Sequence, residues 1–74
     1  MFSRRSKHPA IGERVIVSLV SGNAIEGVMC ERVGDHYVLK GCRVYEAGAD
    51  PVDADGEMVI DRWQVDYTQV VRGA

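Results

Sequence analysis

Residues 15–33 read VIVSLVSGNAIEGVMCERV, and this stretch decides the fold. In its first half Val15, Val17 and Leu19 alternate with Ile16, Ser18 and Val20, the period of two that turns one side of a strand toward a core. Ser21-Gly22-Asn23 interrupts the alternation with turn-forming residues. Extended patterning resumes at Ala24 and runs to Val33, with Ile25 and Met29 two residues either side of Gly27. A glycine inside a strand marks a bulge or a sharp bend. The stretch predicts a first strand over 15–20, a tight turn, and a long, curved second strand over 24–33.

Downstream, Gly34-Asp35 supplies a hairpin turn and His36 to Tyr45 a third strand, burying Tyr37, Leu39 and either Val44 or Tyr45. Residues 46–56, EAGADPVDADG, hold two glycines, a proline and four acids, which reads as an acidic loop ending in a second hairpin signal, Asp55-Gly56. Glu57 to Asp61 is a short fourth strand burying Met58 and Ile60. Arg62-Trp63-Gln64 is a tight connection, and Val65 to Val71 a fifth strand whose inward set is Val65 and Tyr67. Upstream, residues 1–10 (MFSRRSKHPA) form a flexible basic arm, with Pro9 disfavouring helix at His8. A single domain spans 11–72. Five short strands without a helical period predict an all-β, five-stranded, strongly bent antiparallel small barrel. Composition agrees, since twelve Val and four Ile stand against two Leu among 74 residues, and β-branched side chains favour strands.

Charge narrows the function classes. Nine Lys and Arg against eleven Asp and Glu leave a net charge of −2, the wrong sign for a protein whose whole surface binds nucleic acid. The basic arm of Arg4, Arg5 and Lys7 precedes an acidic body. Glu46, Asp50, Asp53, Asp55, Glu57 and Asp61 follow one another with no Lys or Arg between Arg43 and Arg62. These acids read as a solvated loop and its flanks, because the spaced ligands and closing bidentate Glu of a calcium loop are missing. The start is too short and charged for a secretory signal, and no apolar run approaches the roughly 20 residues of a membrane span. A cytoplasmic protein, or one built into a virion, is expected. Cys30 and Cys42 suit a reducing compartment. A hairpin turning at Gly34-Asp35 pairs Cys30 with Leu39 and Cys42 with Gly27, which holds the two sulfurs apart.

The spacing Val15-x-Val17-x-Leu19-x-x-Gly22-x-x-Ile25-x-Gly27, followed by a hairpin and Tyr37-Val38-Leu39, resembles the first motif of the Sm-like family. Ile60-Asp61-Arg62-Trp63-Gln64-Val65-Asp66-Tyr67 is similar to its second motif. The resemblance implies an SH3-like barrel that pairs strand four of one copy with strand five of the next in a ring. It departs at the RNA-contacting positions. The second hairpin, Gly34-Asp35-His36-Tyr37, is one residue shorter and puts His36 at the family's Asn, while Asp61-Arg62 replaces Arg-Gly and Trp63 replaces Asn. An acid where a cation belongs opposes a phosphate backbone. The closing run Gly56-Glu57-Met58-Val59-Ile60, with Val65, Tyr67, Gln69, Val70 and Val71, also resembles small proteins of tailed bacteriophages of actinobacteria.

No residues assemble into a catalytic pattern. A thiol nucleophile could be served only by His8 or His36, and the Cys and His residues lack zinc-ligand spacing. No metal, cofactor or enzymatic activity is expected. Two open strand edges on a small core favour a homo-oligomer. The leading expectation is an assembly or adaptor protein, a phage structural component, that contacts itself and other protein subunits through Trp63, Arg62, Val70 and the arm residues Arg4, Arg5 and Lys7. The arm offers nucleic acid a secondary contact, and no membrane is involved. The alternative is an Sm-like RNA-binding ring using His36, Tyr37 and Arg62, with aromatic stacking beside a cation.

Overall fold

The computed structural model describes residues 10–71. The arm residues Arg4, Arg5 and Lys7, like His8, lie outside these. The chain forms β1 (Arg14–Leu19), β2 (Ala24–Val33), β3 (His36–Tyr45), β4 (Val52–Asp61), a 3-10 turn over Arg62–Gln64, and β5 (Val65–Val70). All pairings are antiparallel, in one sheet ordered β4-β3-β2-β1-β5. The sheet is strongly curved but not closed, leaving β4 and β5 as its two edges.

Alternation builds the core as expected: Val15, Val17, Met29 and Leu39 are fully buried, with Ile25, Cys42 and Ile60 nearly so. Burying an aliphatic side chain of this size stabilises the fold by about 1.5–3 kcal/mol. Ala10, expected in the arm, also belongs to this core at 1% exposure. Its carbonyl accepts from Glu13 N, while Gly12 N donates to Met29 O, so the turn over 10–13 is tied to β2. The folded unit therefore includes Ala10.

Two irregularities align across the sheet and produce its bend. Between the pairs Glu26↔Arg43 and Val28↔Lys40, Gly27 alone opposes Gly41 and Cys42. Between Lys40↔Glu57 and Cys42↔Ala54, Gly41 alone opposes Asp55 and Gly56. Gly41 and Gly56 take φ of +61° and +81°, a region that only glycine enters at little cost. An extra residue in one strand bends it and increases its twist.

A further bulge corrects the expected register. Cys30 is the extra residue between Met29↔Leu39 and Glu31↔Val38, so Met29 rather than Cys30 faces Leu39. The additional residue on β3 at Gly41-Cys42 then restores the original register from Glu26↔Arg43 onward. Both cysteines are free.

β4 and β5 also differ from the expectation. The acidic loop ends at Pro51, not Gly56, because β4 begins at Val52. In β5, Ser18 faces Tyr67 and Leu19 faces Val65, leaving Asp66 as a bulge. Tyr67 therefore turns outward and is 60% exposed. Thr68 and Val70 take the half-buried positions with Val65.

Candidate functional site

The features available for contact are the two sheet edges and the outer face between them. Hydrogen-bonded pairs alternate along an antiparallel ladder, so single bonds identify which backbone groups point away. Val71 N donates to Arg14 O, which places Gln69 and Tyr67 toward β1 and leaves the N–H and C=O of Thr68 and Val70 on the free edge. Arg62 N donates to Asp35 O, which turns Ile60 and Met58 toward β3 and leaves Glu57, Val59 and Asp61 on the free edge of β4. The two edges differ in kind. On β4 the outward backbone groups belong to residues with outer-face side chains; on β5 they belong to residues whose side chains face the core.

Apolar residues mark both edges. Val59 is 61% exposed beside Val38, which is buried at 8% although it stands on the outer face. Trp63 projects from the 3-10 turn at 65% exposure, and Val20 is exposed next to it through the bond from its N–H to Gln64 O. Val70, expected as a contact, packs its side chain on the core and offers only its backbone to the edge.

Three of the six acids form a ladder on β4, whereas Glu46 and Asp50 lie in the exposed loop as expected. Asp53, Glu57 and Asp61 of β4 stand opposite Arg43, Lys40 and His36 of β3. Their contacts measure 2.8 Å for Arg43 Nε to Asp53 Oδ1, 3.5 Å for Lys40 Nζ to Glu57 Oε2, and 3.0 Å for His36 Nε2 to Asp61 Oδ1. Arg43 also faces Glu26 of β2, which accepts from Tyr45 OH at 2.6 Å and lies 3.6 Å from Arg14. Exposed pairs of this kind add little to stability, because water and salt screen them. Their alternation of sign sets strand neighbours more than it adds stability. The signal was present in the sequence: Val52, Ala54, Met58 and Ile60 keep one inward phase once an extra residue is allowed at Asp55-Gly56.

Arg43 holds the Asp53 carboxyl below its ordinary value, first through its hydrogen bond and then through its charge. A carboxyl depressed in the folded state contributes stability above its unfolded pKa and loses it as pH falls through the folded one. The loss belongs to the range below the ordinary aspartate value. Carbon-detected NMR titration is expected to give Asp53 a midpoint below that value, and Arg43→Gln to return it to the ordinary range.

The RNA-binding candidates meet at one rim, where the β2–β3 hairpin touches the end of β4. His36 contacts Asp61, Arg62 lies 3.4 Å from Asp35 Oδ1, and Tyr37 is half-buried against the core. His36 and Arg62 thus already face carboxylates.

A cleft of about 450 Å³ opens where the sheet bends, lined by Arg14, Glu26, Gly41, Arg43, Asp53 and Asp55 among others. Gly41 contributes open space, since nothing lies within 4 Å of where its Cβ would stand. Beneath it Cys42 is buried, and desolvation pushes its thiol pKa up, which disfavours the nucleophilic thiolate. Among the described residues no group of three or more His, Cys, Asp and Glu is placed to hold a metal, and no helix is long and apolar enough to cross a membrane.

No protein-family model matches the chain, and no curated protein matches it. Solved structures do. A chain from the crystal structure of the NatC complex bound to CoA has the same fold, with a TM-score of 0.72 at 19% sequence identity over 85% of this chain and 80% of that one. The class this defines is a small, curved, five-stranded antiparallel β domain.

Proposed function

We propose that this is a non-enzymatic assembly or adaptor protein whose copies join edge to edge, β4 of one against β5 of the next, as the Sm-like resemblance implies, and that it serves as a structural component of a larger particle. The observation that carries this reading is the unlike character of the two free edges. An antiparallel β4–β5 junction pairs outer-phase residues of β4 with core-phase residues of β5, because directly opposed residues share a face. Val59 and Val38 then lie against the Val65, Thr68 and Val70 side of the neighbour, and exposed Val59 gains cover. A two-fold junction of β4 edges centred on Val59 would oppose Glu57 of each copy to Asp61 of the other, which like-charge repulsion disfavours. Head-to-tail joining also satisfies both edges of every copy, whereas a two-fold junction leaves one edge open. The Trp63 and Val20 surface remains for a different protein subunit, since exposed Trp is a frequent contact anchor.

The test is mass. Light scattering at tens of micromolar is expected to give several times the 8.2 kDa of one chain, and Val59→Asp is expected to give 8.2 kDa with an unchanged circular dichroism spectrum. A wild-type monomer would remove the edge-to-edge reading. Submicromolar binding of uridine-rich RNA at 150 mM salt that is lost in His36→Ala would replace it with the RNA-binding ring.

A further inference from the structure

The charge ladder between β3 and β4 has three rungs, and they are not chemically alike. Asp53 meets Arg43 and Glu57 meets Lys40, cations that keep their charge across the neutral range, whereas Asp61 meets His36 with Nε2 3.0 Å from Oδ1. Imidazole is the side chain whose charge ordinarily changes between pH 5 and 8. The rung that can switch also bounds the free edge. Glu57, Val59 and Asp61 stand beside Lys40, Val38 and His36 on the outer face. The apolar pair of Val38 and Val59 is thus bracketed by one rung with a constant cation and one with a titratable cation.

The other charged groups around His36 give Asp61 no substitute. Glu31 of β2 stands opposite Val38, diagonal to His36 on the same face, and is itself an acid. Arg32 stands opposite Tyr37, in the core phase of the hairpin. At the hairpin tip Asp35 engages Arg62, the residue after Asp61. The β5 edge of a neighbouring copy brings no cation either, since Val65–Val70 carries Asp66 and no Lys or Arg. Any charge compensation for Asp61 in a junction comes from His36 of its own chain.

In a single copy the pair matters little. Its side chains are 48% and 44% exposed, and water screens such pairs. A strand laid along β4 removes that water. A carboxylate covered without a partner is costly, and one covered beside a protonated imidazole much less so. Proton uptake by His36 and pairing of the β4 edge therefore favour each other.

We infer that pH regulates the β4 junction through His36, whose protonated ring neutralises Asp61 in the covered edge, so that copies join more tightly in mild acid than in mild alkali. This rests on the edge-to-edge reading and adds the group that regulates it. The joined state holds the extra proton, so the gain is complete in mild acid and is lost as pH rises through the imidazole range. With one proton per junction, the dissociation constant changes by at most about tenfold per pH unit.

The chain has two histidines, so the experiment uses the full chain carrying His8→Gln, which leaves His36 as its one imidazole. Sedimentation equilibrium in 150 mM salt is read at pH 5.5, 6.5, 7.5 and 8.5. The parent is compared with proteins that add His36→Gln, His36→Lys or Asp61→Asn, each checked for folding by circular dichroism. The parent's dissociation constant is expected to rise about tenfold or more from the lowest pH to the highest. His36→Gln is expected to be independent of pH and weakly assembled, His36→Lys independent of pH and tightly assembled, and Asp61→Asn independent of pH. A parent assembled equally at every pH overturns the regulation and leaves the edge-to-edge reading standing. So does a folded His36→Gln or Asp61→Asn protein that keeps the parent's pH dependence, or a folded His36→Lys protein no tighter than His36→Gln. Monomers at every pH remove the junction and its regulation together.

Discussion

Gly27→Ala is expected to destabilise the protein by about 2–3 kcal/mol, the upper part of the range for forcing an extra carbon into a packed core. A Cβ at Gly27 would lie 2.9 Å from Cys42 Sγ and 2.9 Å from Lys40 O. The thiol could turn aside, but the carbonyl belongs to the backbone of the Gly41-Cys42 bulge and can move only by changing the bend. Combining Gly27→Ala with Cys42→Ala separates the two contacts: if the carbonyl limits, the double variant remains well below the Cys42→Ala single variant in urea-unfolding midpoint. A Gly27→Ala protein within 0.5 kcal/mol of wild type would mean that the strands can slide apart, contrary to the bend being set by close approach.

Leu39→Ala is expected to cost about 3–4 kcal/mol, the larger effect of the two, since it leaves a cavity in addition to removing buried apolar surface. Leu39 is fully buried and stands between Met29 of β2 and Met58 of β4. The flexible methionines can relax into part of the space, which keeps the expected cost below the top of the range for such substitutions. Small single cores rarely supply more than about 3–5 kcal/mol of net stability, so this variant is expected to be largely unfolded at 37 °C. Leu39→Met, which conserves volume, is expected to cost less than about 1.5 kcal/mol. Thermal denaturation followed by circular dichroism distinguishes the three proteins.

The strands were legible because their signals are local. The turns at Ser21-Gly22-Asn23 and Gly34-Asp35, the inward set of Val15, Val17, Leu19, Ile25, Met29, Leu39 and Ile60, and the bend at Gly27 all follow from a period of two and its interruptions. Of the candidate contact residues, Trp63 was legible as an exposed side chain for the same reason: a large aromatic in a three-residue connection has no strand face to enter. Val59 was not singled out, because its outward phase matters only once β4 is known to be an edge.

The sequence by itself determined the number of strands, their order along the chain, the antiparallel hairpins and most of the core. Only the tertiary structure decided where the bulges fall, and they account for the main corrections. Cys30 is displaced from Leu39 by a bulge in β2, the Asp66 bulge turns Tyr67 outward, and Asp55-Gly56 extends β4 back to Val52. The same holds for Asp53, Glu57 and Asp61, which read as a solvated run until β3 brings Arg43, Lys40 and His36 beside them. The physical reason is that side-chain alternation is a property of one strand, whereas register and bulge position minimise the joint energy of two strands and the core beneath them. A one-residue slip exchanges the faces of every residue beyond it, so the partner strand, not the local sequence, settles which side chains are buried and which are left to make contact.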